Sequence, residues 1–68
     1  METFKITVDN KKYTVNPLEE IDQILYEIYD DALVCVIGLN EYAQWEANNE
    51  YPEARVREIG DAIESYTC

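Results

Sequence analysis

A strict alternation of apolar and polar residues near the start of the chain restricts the fold most. Phe4, Ile6 and Val8 are apolar, and the residues between them are lysine and threonine. Side chains of a β-strand point to alternate faces, so this stretch predicts a strand with one buried face. Tyr13 and Val15 continue the alternation after a polar turn, which predicts an antiparallel hairpin.

The turn of this first hairpin is expected at Asn10-Lys11. Asparagine tolerates the positive φ that a two-residue turn requires. The resulting register pairs Val8 with Tyr13. It also places Asp9 opposite Lys12, which is a favourable pair of opposite charges.

A helical pattern occupies the C-terminal part of the chain. Pro52 suits a first helical turn, and apolar residues then recur at helical spacing at Val56, Ile59, Ile63 and Tyr66. Gly60 lies on the same stripe, where it costs about 1 kcal/mol of helix propensity relative to alanine. We therefore expect another part of the chain to pack closely against Gly60, although a glycine that serves a binding site is the alternative.

The middle of the chain has two interpretations. The run NPLE at 16–19 is typical of a helix start, with proline at the first helical position, and apolar residues follow it at helical spacing. Alternatively, Ile24–Tyr29 alternates as a strand, and a two-residue loop at Asp30-Asp31 pairs Ile28 with Leu33. Periodicity alone does not decide between these.

Two segments, YEIYDDALVCVIGLNEYAQWEA and PEARVREIGDAIESY, carry a composite pattern: Y-x-(V/I)-x-x-(D/N)-G, an apolar strand, G-x-W, and a helix with I-G-x-A-I-E. In this pattern the chain resembles short bacterial proteins of unknown function. Ile59–Glu64 matches the helix motif and Gln44–Glu46 the tryptophan element, whereas Asp31-Ala32 and Tyr42-Ala43 stand where the pattern has a glycine. The resemblance implies a strand over Ile24–Tyr29 and no known activity.

Together these patterns predict one small α+β domain over residues 1–68, an antiparallel β-meander of four to five strands with one C-terminal helix packed on one face. A last loop at Glu41-Tyr42-Ala43 pairs Leu39 with Trp45. Trp45 then lies under the helix, against Gly60. We interpret it as part of the core rather than a ligand anchor, because so small a domain needs its largest apolar side chain inside.

The charge of the chain limits its partners. Fifteen aspartate and glutamate residues against five lysine and arginine residues give a net charge of −10 at pH 7. Phosphate backbones and anionic membranes are repelled by such a surface, so we expect neither nucleic acid nor a membrane as a partner. A basic surface, a cation or a second copy of the chain is favoured as the partner, and solubility alone would also explain the charge.

The residue types argue against catalysis and metal binding. The chain has no histidine, so no imidazole activates Cys35 or Cys68, and the ligands of a zinc site are too few. The acidic runs at 19–22 and 30–31 lack the spacing of a calcium loop. We expect no enzyme, no cofactor and no metal, and an inert Cys35 thiol with a raised pKa in its apolar strand.

The sheet face that points away from the helix is the remaining candidate site. The strand interpretation places an apolar patch there, which is typical of an interaction surface. In the alternative, Pro17–Gln23 folds back over this face through Leu18 and Ile21. The residues of the predicted interface are Leu25, Tyr29, Val34 and Val36.

These observations predict a non-enzymatic protein-interaction module that forms a homodimer through this patch. The alternative function is an acidic inhibitor or nucleic-acid mimic that binds a basic partner surface. Two cysteines do not make a disulfide framework, and no stretch has the pattern of a secretion signal or a membrane span, so a soluble cytoplasmic protein is expected.

Overall fold

Five antiparallel strands form one sheet in which each strand pairs with its neighbours in the sequence. The computed structural model describes residues 2–21 and 23–67. Their elements are β1 (Phe4–Val8), β2 (Lys11–Glu19), β3 (Ile24–Asp30), β4 (Ala32–Leu39), β5 (Trp45–Ala47) and α1 (Glu53–Thr67). The predicted α+β meander with a C-terminal helix is confirmed.

The first hairpin is confirmed, but its turn begins one residue earlier than predicted. Asp9 and Asn10 form the loop, with φ values of 51° and 65°. Both residue types tolerate the left-handed backbone of a tight hairpin turn, whereas lysine does so poorly. Lys12 consequently lies opposite Thr7 rather than Asp9. The pairing shifts by two residues, so the same side chains are buried.

β2 continues through Pro17, where a helix was the alternative. Pro17 is buried and pairs with Tyr26 of β3. Because the pairs between β1 and β2 end at Val15, Pro17 lies beyond the stretch of β2 that β1 borders, and sheets tolerate proline at such positions. The chain then turns, with the Glu20 N–H donating to the Gln23 carbonyl at 2.8 Å.

β3 and β4 form the predicted second hairpin in a different register. Asp31 separates the two strands with a φ of 67°. Asp30 pairs with Ala32, so the loop is Asp31 alone instead of the predicted Asp30-Asp31, and Val34 is an extra residue in a bulge of β4. The two changes together pair Ile28 with Cys35, not with Leu33 as predicted. The predicted strand over Ile24–Tyr29 is correct, and its register is not.

The core lies between the sheet and α1. The helix packs against β4 and against both edge strands, β1 and β5, so the sheet curls around it. The predicted apolar stripe is buried at Val56, Ile59 and Ile63. Tyr66 is 60% exposed but stacks flat on Phe4, with ring centroids 4.1 Å apart.

Two ion pairs fasten the turn end of the first hairpin. Arg55 of α1 donates to Asp9 in the β1–β2 turn at 2.8 Å, and this hydrogen bond raises the pKa of Arg55. Lys11 lies 2.7 Å from the carboxylate of Asp30, which raises the pKa of Lys11 in the same way. The helix and the second hairpin are thereby tied to the same end of the first hairpin.

Candidate functional site

The β4–β5 loop positions Trp45. The Asn40 N–H donates to the Gln44 carbonyl at 2.9 Å and closes the predicted three-residue loop, while the Asn40 side chain accepts from the N–H groups of Tyr42 and Gln44. Ala43 has a φ of 60°, a left-handed conformation. Leu39 pairs with Trp45, and this predicted register is confirmed.

The indole of Trp45 packs under α1 as predicted. It lies against the backbone of Gly60, where a β-carbon would overlap it. Its Nε1–H donates to the Glu64 carboxylate at 3.1 Å. The Tyr26 ring stands beside it, with centroids 5.8 Å apart and planes inclined by 57°. Trp45 is only half-buried, however, so it belongs both to the helix–sheet contact and to the surface.

An apolar groove opens beside Trp45, at the end of the sheet that lies under the C-terminal half of α1. Its volume is about 420 Å³. Ile24 and Leu39, at the ends of their strands, are 39% and 43% exposed. The groove is lined chiefly by Ile24, Tyr26, Leu39, Trp45, Ile63 and Glu64.

An acidic groove of about 460 Å³ lies on the other side of the Trp45 ring, between α1 and β5. Three carboxylates and one guanidinium of α1 line it. Arg57 lies 3.6 Å from Glu53. Glu46 borders the groove, but it alternates with Trp45 along β5, so its side chain lies toward the outer sheet face, where it accepts a hydrogen bond from the Asn40 side chain. The residues of this groove used below are Trp45, Glu53, Arg57, Asp61 and Glu64.

The outer sheet face, opposite α1, carries two of the predicted interface residues side by side. Leu25 pairs with Gly38 and covers it, and Val36 lies diagonally across from Leu25. Leu18 pairs with Leu25 from the other side. Leu18, Leu25 and Val36 are half-buried and form one apolar patch, called the outer patch below.

The other two predicted interface residues are set apart from the outer patch. Glu27 lies on the outer face between Leu25 and Tyr29, and its carboxylate accepts from Tyr29 at 3.3 Å and from Asn16 at 2.7 Å. Desolvation, followed by the charge of Glu27, raises the pKa of Tyr29. Val34, the bulge residue, packs against the core cluster.

The alternative cover for this face is wrong. Pro17, Leu18 and Glu19 belong to β2 and lie within the sheet. Ile21 is 99% exposed and covers nothing. Asp22, in the acidic run at 19–22, lies outside the described residues.

Two groups that could carry chemistry, the Cys35 thiol and the Tyr51 phenol, line neither groove. Cys35 is buried and Tyr51 is half-buried. Burial raises the pKa of the Cys35 thiol, as predicted. Desolvation and a hydrogen bond with Tyr13 raise the pKa of Tyr51 to about 12. Within residues 2–21 and 23–67, no group of three or more cysteine, aspartate or glutamate side chains is placed to hold a metal ion.

Sequence reasoning missed the two grooves. Ile24 and Leu39 alternate with the buried residues of their strands, so they were expected inside. A geometric signal was present, since a helix is about 10 Å wide whereas strands as long as β2 to β4 extend for about 23–30 Å. One helix therefore leaves some inward-facing apolar side chains at the strand ends uncovered.

Comparisons with protein-family models, with curated proteins and with solved structures find no significant match to this chain. The resemblance to short bacterial proteins of unknown function stays a prediction. No helix in the described part of the chain is long and apolar enough to cross a membrane.

Proposed function

We propose that this chain is a non-enzymatic, cytoplasmic protein-interaction module that pairs with a second copy of itself. The observation that carries the proposal is the outer patch. Leu18, Leu25 and Val36 form a contiguous apolar surface on the sheet face opposite α1, and a sheet face left to water usually carries more polar side chains.

A second copy is the occupant that this patch suits. The patch lies on adjacent strands, so the same residues of two copies can meet across a twofold axis, and closed dimers are the commonest soluble assembly. The net charge of −10 on each chain opposes pairing. Salt screens that repulsion, so the dissociation constant of the dimer should fall between low and moderate ionic strength.

Sedimentation equilibrium of the wild type and of Val36→Lys tests this proposal. The wild type is expected to dimerise, and Val36→Lys to remain a folded monomer. Thr7→Lys is the matched control, because it adds the same charge to an exposed position of β1 outside the outer patch. A wild type that stays monomeric in moderate salt, or a Val36→Lys variant that still dimerises, contradicts the proposal.

A second candidate function is an acidic inhibitor or nucleic-acid mimic that occupies the basic surface of another protein. The alignment of Glu53, Asp61 and Glu64 along one groove favours it, because a mimic must gather its charge on one surface whereas solubility needs only scattered charge. Affinity capture from the native host at low salt tests it. The expected result is a basic or nucleic-acid-binding protein, and recovery of none counts against the candidate.

A further inference from the structure

The apolar groove and the acidic groove meet at one residue pair. Trp45 and Glu64 line both, and they are joined by the hydrogen bond from Nε1 to the carboxylate. A ligand that crosses the Trp45 ring would therefore meet apolar side chains on one side and carboxylates on the other.

We infer that the two grooves together bind a basic, partly apolar segment of a partner protein, with an apolar side chain in the apolar groove and a neighbouring lysine or arginine in the acidic groove. The inference rests on the second candidate function above and names the chemistry of its partner. It is independent of dimerisation, because the grooves lie on the helix side of the sheet and the outer patch on the other.

The apolar half of the site follows from exposure. Ile24 and Leu39 each leave about two-fifths of their surface in water, and they do so in a concave region beside two aromatic rings. Apolar side chains that line a groove have more to gain from a partner than the same residues scattered singly over a surface.

The cationic half of the site follows from charge. Glu53, Asp61 and Glu64 line the acidic groove with a single guanidinium, that of Arg57. The last turn of α1, from Glu64 to Thr67, contains no basic residue, so the negative end of the helix dipole adds to the field instead of being neutralised.

The length of the site favours a protein segment over a small cation. Glu53 and Glu64 lie about 16 Å apart along the axis of α1, which equals about five residues of extended chain. A polyamine would satisfy the acidic groove but leave the apolar groove in water. A nucleic acid would be repelled by both the groove and the net charge.

Trp45 is the only tryptophan of the chain, so its fluorescence reports directly on the site. The test titrates the full chain with a short peptide that alternates leucine and arginine. Parallel titrations use a leucine–glutamine peptide, a serine–arginine peptide and spermidine. The leucine–arginine peptide is expected to shift the Trp45 emission and to bind most tightly.

Two matched pairs of variants locate the binding. Glu64→Gln keeps an oxygen that accepts the indole hydrogen bond, and it should weaken binding about threefold, whereas Glu2→Gln makes the same charge change beside the opposite edge strand and should not. Leu39→Ser should weaken binding about tenfold, whereas Leu33→Ser, at a residue that is 51% exposed and pairs with Tyr29, should not.

The inference is overturned if spermidine or the serine–arginine peptide binds as tightly as the leucine–arginine peptide, since either result would leave the apolar groove without a role. Equal binding of the leucine–glutamine peptide would remove the role of the carboxylates. An equal loss of affinity in Glu2→Gln and Glu64→Gln would mean that the net charge of the protein alone attracts the peptide. If the leucine–arginine peptide fails to bind while a basic protein is captured from the host, the assignment of the binding site to the two grooves is wrong. The second candidate function, binding to a basic partner surface, then survives.

Discussion

The indole of Trp45 lies directly on the backbone of Gly60, at a distance that leaves no room for a side chain at position 60. The glycine costs helix propensity in the middle of α1, and the contact with the largest side chain of the chain compensates for it. The same contact fixes the wall between the two grooves.

Gly60→Ala should therefore destabilise the fold. The overlap of a methyl group with the indole should lower the free energy of unfolding by about 1–3 kcal/mol, in spite of the gain in helix propensity of about 1 kcal/mol. Urea denaturation measures the difference. Ser65→Ala, at an exposed position of the same helix, should stay within about 0.5 kcal/mol of the wild type. A Gly60→Ala protein as stable as the wild type would contradict the packing.

Ala43→Gly should stabilise the fold. Ala43 holds a φ of 60°, which costs an alanine about 1–2 kcal/mol and a glycine almost nothing. After the greater flexibility of glycine in the unfolded chain is subtracted, the free energy of unfolding should rise by about 0.5–1 kcal/mol. Ala32→Gly is the control, because Ala32 lies in β4 with a negative φ, and it should lose stability. Thermal denaturation should show a higher midpoint for Ala43→Gly and a lower midpoint for Ala32→Gly than for the wild type.

Asp9→Asn should isolate the contribution of the ion pair between the first turn and the helix. Asparagine tolerates the φ of 51° at this position as well as aspartate does, so the turn is retained while the charge that pairs with Arg55 is lost. The free energy of unfolding should fall at low salt and should fall less at high salt, because salt screens an exposed ion pair. In a double-mutant cycle, Arg55→Gln should cost less in the Asp9→Asn background than in the wild type. Equal costs would mean that the pair does not contribute.

Alkaline pH should destabilise the fold through Tyr51. Its pKa in the folded protein is about 12, against an ordinary value of 10.0, because burial and the hydrogen bond with Tyr13 favour the neutral phenol. Folding thus favours the protonated form, and this contribution is fully present below pH 10 and is lost as the pH rises from about 10 to about 12. Denaturation midpoints across this range should fall more steeply for the wild type than for Tyr51→Phe. An equal fall of the midpoints in the two proteins would show that folding does not raise the pKa of Tyr51.

The amino-acid sequence by itself determined which face of most strands and of the helix is apolar. Alternation in β1 to β4 and the helical stripe of α1 identified most of the core, because apolar side chains that recur with the period of an element share one face of it. The exceptions are Val34, which was expected outside and packs against the core, and Ile24 and Leu39, which were expected inside and are 39% and 43% exposed.

The β4–β5 register also followed from the sequence, since a three-residue loop at Glu41-Tyr42-Ala43 brings Leu39 and Trp45 opposite each other. The place of Trp45 against Gly60 followed in turn, because close packing was the favoured explanation for a glycine on the buried stripe.

The tertiary structure alone decided the registers of the first two hairpins and the existence of the grooves. A shift of pairing by two residues leaves every side chain on its own face, so alternation could not distinguish a turn at Asp9-Asn10 from one at Asn10-Lys11. The bulge at Val34 could not be predicted for a related reason, because one extra residue in an apolar run does not change the strand propensity of that run. The grooves arise from where α1 ends relative to Ile24 and Leu39, which depends on how far the sheet curls around the helix and is encoded in no single segment of the chain.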